Sequence, residues 1–261
     1  MRDGLRAGSD GGDGAAEHPR RARPVILPSL AARDEHARER MDDPSCDPRR
    51  LARTYASFRP VNAAVAGWRQ AYRRHLRPHL RAEGPTTLLD VGCGGGDVAR
   101  ALARWARRDG YDLRVTGIDP DPRAHDWARC RPPVTGVRFR RKLSSELVAA
   151  GERFDLVISN HLLHHLSQEQ RDGLLEDSAR LARRAVVHSD IRRGRLAYAL
   201  FSVATWPLFP GTFIREDGLT SIRRSFTAPE LRARVPSGWT VSTPGRFRLL
   251  LLHDALAPAR R

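Results

Sequence analysis

At 261 residues, with 40% hydrophobic residues and 21 glycines, the chain suits one globular domain carrying an extra segment. Its 46 basic against 30 acidic residues give +16, and Lys142 is the only lysine, so the charge is almost entirely arginine. Cys46, Cys93 and Cys130 lack metal-ligand spacing, and no run approaches the ~20 apolar residues that cross a bilayer, which argues against a disulfide scaffold or a membrane-spanning chain and sets cytoplasmic as the expectation.

Residues 1–40 show no apolar periodicity, and their eight arginines nearly balance seven acids, so a disordered, dispensable tail is expected. Met41 opens a denser pattern, and residues 41–261 are read as the working domain. Asp47 is a candidate N-cap before Pro48, with Leu51, Tyr55 and Phe58 on one helical face; after Pro60, Val61, Val65, Trp68, Tyr72 and Leu76 mark another. Two N-terminal helices are therefore predicted within residues 41–82.

Strand and helix signals then alternate: a strand over 88–91 with a helix to 107, a strand over 113–118 with a helix over 122–129, a strand over 137–141 with a short helix near Glu146. A strand over 154–159 with a helix over 167–182 and a strand over 185–189 complete the series. Ser167 with Gln170 and Thr227 with Glu230 form capping boxes. Strands over 239–243 and 247–253 close the chain. The pattern predicts an α/β, doubly wound, seven-stranded and mostly parallel sheet with an antiparallel final strand. The alternation breaks at residues 192–227, where the run Leu196 to Phe209 is apolar on every face for 14 residues. That length favours a buried or interfacial helix, and residues 192–227 are assigned as a substrate cap.

The most informative segment is Asp90-Val91-Gly92-Cys93-Gly94-Gly95-Gly96-Asp97, where a buried strand ends in an acid and a glycine turn opens a helix. A second strand ends in Asp119, 23 positions after Gly96, where a carboxylate of such a sheet reaches a ribose diol. A dinucleotide site would space its glycines differently, and Asp97 puts negative charge at the helix start, where a diphosphate is repelled. Over residues 50–253 the chain resembles the class I S-adenosylmethionine-dependent methyltransferases, a Rossmann-like fold whose first motif matches Asp90, Gly92, Gly94 and Gly96. The resemblance implies S-adenosyl-L-methionine as cofactor, held by Asp90, Gly92, Gly94, Gly96, Asp119, Pro120, Ser144, Asn160 and His161. Ser144 stands where relatives often place an acid.

Ser159 to Leu166 reads Ser-Asn-His-Leu-Leu-His-His-Leu and resembles the Leu-His-His motif of small-molecule members, including the quinone-biosynthesis and phenolic natural-product O-methyltransferases. The Asn/Asp-Pro-Pro-aromatic turn of base-amine methylation is absent. A histidine near neutral pKa suits proton removal from a hydroxyl acceptor. His164 and His165, at the start of a helix, and Asp190, at the end of the fifth strand, are predicted to pair as the catalytic unit, with His188 buried in its strand and no metal expected. The expected acceptor is a hydrophobic phenolic lipid, aromatic polyketide or quinone precursor, methylated on oxygen or on an activated ring carbon in secondary metabolism. An RNA- or ribosome-directed enzyme and a catalytically silent cofactor-binding module stay open as alternatives. The arginine excess, including a presumed exposed face of Arg100, Arg104, Arg107 and Arg108, is read as surface composition over a nucleic-acid footprint, with peripheral contact to anionic membrane also open.

Overall fold

The computed structural model describes residues 28–206 and 208–256. Helix α1 (Pro48–Val65) starts where Asp47 accepts from the Arg49 and Arg50 amides. It contains Pro60, so the predicted break there does not occur. The chain breaks instead at Gly67, whose φ of 55° is left-handed, before α2 (Trp68–Ala71) and a π turn over Tyr72–Leu76. There follow β1 (Thr86–Val91), α3 (Asp97–Arg108), β2 (Leu113–Ile118), α4 (Pro122–Arg129), β3 (Val137–Arg140), α5 (Ser144–Ala149) and β4 (Phe154–Asn160). Then come α6 (Gln168–Leu181), β5 (Ala182–Ile191), α7 (Arg195–Thr205), α8 (Ile214–Arg224), α9 (Ala228–Arg232), β6 (Trp239–Ser242) and β7 (Arg248–Asp254).

The strands form one sheet in the order β3-β2-β1-β4-β5-β7-β6, parallel throughout except β7, which runs antiparallel to both β5 and β6. Strand residues alternate faces, and both faces are covered. Leu88, Leu156, Ile158 and Val187 pack under α3, Trp68, Tyr72 and Leu76, while Leu89, Val157 and Val186 pack under α6, Phe226 and Leu231. The order reverses between β1 and β4, so the crevice beyond their carboxyl ends is where a ligand of this sheet sits.

Both capping boxes form: Gln170 accepts from the Ser167 amide at 3.0 Å and Glu230 from the Thr227 amide at 2.8 Å. His188 is fully buried, bonded to Ser159 Oγ at 2.8 Å and stacked on Trp239. Burial lowers its pKa to about 3, below the ordinary 6.5. Between these values the unfolded chain binds the proton that the folded one refuses, so stability falls as pH drops from 6.5 toward 3. Thermal melts of wild type against His188→Gln, which keeps a partner for Ser159 but does not titrate, are expected to show a shallower acid loss in the variant. Parallel curves would remove His188 as the cause.

Two sequence expectations are corrected. Residues 28–40 pack on the domain through individual polar contacts. The Asp34 amide donates to Arg223 O at 3.0 Å, Arg193 donates to the carbonyls of Leu30 and Ala31, and Arg33 donates to those of His164 and Arg224. An extended strap of this kind has no apolar period for sequence reading to detect. Residues 1–27 of the predicted tail lie outside the described residues. The second correction concerns arginine as surface composition. Arg100 is only 8% exposed, donates to Ala128 O at 2.5 Å and lies over the Phe139 ring, and Arg171, Arg193, Arg224 and Arg248 are buried too. Arg104, Arg107 and Arg108 are exposed as expected.

Candidate active site

A cavity of about 730 Å³ opens beyond β1 and β4. One end is formed by the glycine turn. Gly94 takes a φ of 50° and a side chain there would meet no protein atom within 4 Å, so the turn leaves open space on its cavity side. Asp119 stands beside it, accepting from the Gly94 amide at 2.9 Å and the Asp121 amide at 3.0 Å. Gly92, Asp119, Pro120, Asn160 and His161 all line the cavity, so the predicted set converges there.

Two members of that set do not. Gly96 makes the turn, with a φ of 73°, but a Cβ on it would lie 2.4 Å from the Phe139 ring, and the residue packs against β3 away from the cavity. Ser144 begins α5 and donates to Asp177 Oδ2 at 2.6 Å, which turns its hydroxyl to a neighbouring helix; it does not line the cavity. The nearby acid had no sequence signal linking it to Ser144.

The electrostatics of this end are negative. Asp90 is 1% exposed, and neither carboxylate oxygen has a partner among the described residues. Burial, then repulsion from Asp97 and Asp119, pushes its pKa well above the usual value. Burial likewise raises Asp97, which accepts from Asn62 at 2.9 Å, and Asp119. Three carboxyl groups held together against desolvation and mutual repulsion describe a seat for a cationic, donor-bearing ligand. Asn62 reaches this seat from α1, and Tyr55 of the same helix lines the cavity.

Asn160 Oδ1 accepts from Trp68 Nε1 at 2.8 Å, tying the N-terminal helices to the end of β4. His161 follows with a φ of 54°, the sole positive value outside glycine among the described residues, and burial lowers its pKa to about 4. Such a conformation in a non-glycine residue costs of order 1–3 kcal/mol and persists only where its surroundings enforce it. Here the His161 amide donates to Ser189 O at 2.8 Å.

The other end of the cavity holds the histidines. They lie in a one-turn 3-10 segment, Leu163–His165, rather than at the start of α6 as expected. His164 is fully buried. Its amide donates to Asp190 Oδ2 at 2.9 Å, its Nδ1 lies 2.6 Å from Asp190 Oδ1, and its Nε2 lies 3.3 Å from Oε1 of Glu39. Burial disfavours the charged ring, but Asp190 and Glu39 outweigh it and raise the pKa to about 9. Glu39 is held at about 2: burial opposes its ionisation, and the two histidines and the Ser221 hydroxyl overcome that cost. His165 is more accessible. Its Nδ1 lies 3.0 Å from Asp42 Oδ2 and its Nε2 3.5 Å from Glu39 Oε1.

Glu39 and Asp42 were not foreseen, because they belong to and directly follow the strap whose contacts are non-periodic. Asp217 of α8 secures that segment by accepting from the Arg40 and Met41 amides at 2.7 and 3.0 Å, and burial raises its pKa to about 6. Ala197, Leu200, Phe201 and Ala204 of α7 and Ile214 and Ile222 of α8 give the cavity an apolar wall. The insertion also has an open side, with Val203 of α7 75% exposed and Trp206, just past the helix, 78% exposed, so it is partly cavity wall and partly surface. No helix among the described residues is long and apolar enough to cross a membrane.

Residues 88–185 match the protein family described as "Methyltransferase domain". Among curated proteins, the chain is 35% identical over 144 residues to the ubiquinone biosynthesis O-methyltransferase of Methylobacterium sp. (strain 4-46), covering 54% of this chain and 55% of that protein. It is 38% identical over 82 residues to the enzyme of the same name from Cereibacter sphaeroides (strain ATCC 17025 / ATH 2.4.3), covering 31% of each chain. The chain thus spans about half the length, or less, of the curated relatives it matches. Among solved structures, human N-acetylserotonin methyltransferase in complex with SAM aligns with a TM-score of 0.54 at 13% identity, over 77% of this chain and 54% of that one. The plantazolicin methyltransferase BpumL in complex with SAH aligns with a TM-score of 0.50 at 13% identity, over 79% and 95%. Residues 88–185 therefore resemble a methyltransferase domain, and the chain shares the Rossmann-like fold of these SAM- and SAH-bound methyltransferase structures.

Proposed function

We propose that the protein is an S-adenosylmethionine-dependent methyltransferase acting on a hydroxyl, or a ring carbon activated by one, of a hydrophobic small molecule such as a phenolic lipid, aromatic polyketide or quinone precursor. The observation that carries this reading is one cavity bounded by three carboxyl groups and the glycine turn at one end, an imidazole–carboxylate cluster at the other and apolar side chains of α7 and α8 between them. The unpartnered Asp90 and the open space at Gly94 fit the cofactor, whose ammonium and sulfonium are cations and whose ribose supplies hydroxyl donors. When bound, it supplies an electrophilic methyl group for in-line displacement. In this reading Asp90 and the Gly92 and Gly94 backbone hold the amino-acid end, and Asp119 with Pro120 holds the ribose end. Asn160 and His161 close the wall of the same pocket.

The chain's own contribution is alignment and proton removal. Asp190 pins His164 at its amide and Nδ1, and Glu39 joins His164 to His165, so these four residues form one unit in which His165, the more accessible ring, takes the acceptor proton. Nε2 of His165, at 3.5 Å from Glu39, is the least committed nitrogen in the unit.

The test is to incubate the protein with labelled cofactor and a panel of hydrophobic phenols or a cell lipid extract, and to identify the labelled product by mass spectrometry. With an acceptor in hand, His165→Ala is expected to lower kcat by roughly 10²–10⁴-fold, with cofactor affinity nearly unchanged. Full activity in His165→Ala, His164→Ala and Asp190→Asn alike would overturn the acid–base assignment and leave alignment as the source of catalysis.

A further inference from the structure

We infer that a second cavity, bounded by the strap and the first turn of α6, binds a phosphate dianion, free or as the head of a small phosphomonoester, through Arg33, Arg171, Arg224 and Arg234. This cavity measures about 1290 Å³ and shares only Glu39, Asp42 and His165 with the first. Its four arginines come from the strap, from α6, from the end of α8 and from just past α9, so no spacing in the sequence groups them.

The guanidinium groups are gathered tightly. Those of Arg33, Arg171 and Arg234 stand 4.3, 5.2 and 5.8 Å from the centroid of a single ring, that of Phe226. Arg224 joins them, since its Nε and Arg33 Nη2 both donate to the His164 carbonyl, at 3.2 and 2.9 Å. The ring attracts each cation, but four like charges in one place repel one another. Arg33 feels this: burial lowers its pKa, Glu35 opposes that, and Arg171, Arg224 and Arg234 each push it further down.

Arg171 points to a ligand rather than to packing. It lines the cavity, is 1% exposed, and neither its Nε nor its Nη2 has a hydrogen-bond partner among the described residues. A buried, unpaired guanidinium is costly, and an anion that accepts from it removes the cost. Among the described residues one carboxylate lies within ion-pair distance of the four: Glu35, 3.4 Å from Arg33 and 58% exposed. Four positive charges against one exposed negative charge suit a doubly negative ligand, and the planar guanidinium fork matches phosphate oxygens in pairs. The start of α6 lines the same cavity and adds the positive end of its dipole, while Glu169, the acid of that turn, accepts from the Ser167 hydroxyl at 2.8 Å. Arg33 and Arg224 also hold the His164 and His165 carbonyls, so an anion drawn against them ties the strap to the histidine turn.

The test is titration calorimetry of the full chain, without cofactor and at constant ionic strength, with inorganic phosphate and with glycerol 3-phosphate at about pH 8, where both are dianions. Wild type is expected to bind a single anion per chain and to melt at a higher temperature in its presence. Tighter binding of inorganic phosphate identifies the free ion as the ligand, tighter binding of glycerol 3-phosphate a phosphomonoester, and either supports the site. Arg234→Ala, at an exposed position, is expected to fold and to weaken binding roughly tenfold or more. Arg104→Ala, which removes the same charge from the exposed face of α3, is expected to leave it unchanged. Arg171→Met is expected to lose the anion and, without phosphate, to melt no lower than wild type, because it removes a buried unpaired charge. A purely structural Arg171 gives the reverse, a lower melting temperature with binding intact. Absence of binding by wild type overturns the site, as does equal affinity in Arg234→Ala and Arg104→Ala, which reduces the effect to general attraction by a basic surface. Anion binding is read without methyl transfer, so its failure leaves the proposed function untouched.

Discussion

Gly94→Val is expected to leave the chain folded and abolish binding of S-adenosylmethionine. The substituted side chain points into the open end of the cavity, where it meets no protein atom, so the folding cost is confined to the left-handed backbone, about 1–2 kcal/mol. That space is the cradle assigned to the cofactor. Gly96→Val is the necessary contrast, since its Cβ would lie 2.4 Å from the Phe139 ring and the variant is expected to be strongly destabilised. Titration calorimetry and thermal melts separate the two: Gly94→Val loses the ligand and keeps a melting transition, Gly96→Val loses stability. Equal cofactor affinity in wild type and Gly94→Val would remove the basis of the functional reading.

Removing residues 1–40 is expected to lower kcat by roughly 10²-fold or more relative to a chain lacking only residues 1–27, with cofactor affinity nearly unchanged. The sequence taken alone predicted the reverse, that the whole stretch is dispensable. The deletion withdraws Glu39 from between His164 and His165 and frees Ser221, and it strips the contacts of Arg33 and Asp34 to α8 and its end. Breaking a buried charge pair by removing one partner costs about 3–5 kcal/mol, which for a chain of this size lowers the melting temperature by roughly 10 °C. Kinetics are therefore compared well below that transition, and Glu39→Gln isolates the carboxylate from the rest of the strap. Unchanged kcat in both the deletion and Glu39→Gln would show that the strap only buttresses the fold.

The glycine-turn end of the cavity was legible because its signals are local. Asp90, the glycines and Asp119 lie at the ends of two neighbouring strands, and a parallel sheet brings adjacent carboxyl ends together whatever the rest of the chain does. Even there the local pattern overreached. Spacing alone could not distinguish Gly94, which faces the cavity, from Gly96, which packs on Phe139, or anticipate that Asp177 would engage Ser144.

The histidine end was only partly legible. The pairing of His164 with Asp190 followed from β4 and β5 being neighbours, and it is present at 2.6 Å. Glu39, Asp42 and the packing of residues 28–40 left no trace in periodicity, because an extended segment held by separate hydrogen bonds needs no repeating apolar face. The two-sided role of α7 was hidden for the opposite reason: a helix apolar all round does not reveal which side meets the cavity and which meets solvent.

Hydrophobic periodicity and backbone freedom act over a few residues, so the alternating strands, the seven-stranded sheet and the acidic glycine turn were all readable in the sequence, whereas the switch between β1 and β4 came from the sheet order. Tertiary packing alone brings a strap 125 positions before His164 to supply its second carboxylate and sets the histidines in a separate 3-10 turn ahead of α6. The physical reason is range: charges and hydrogen-bond partners act across space between segments far apart in the chain, and no local pattern of residue types encodes which of them meet.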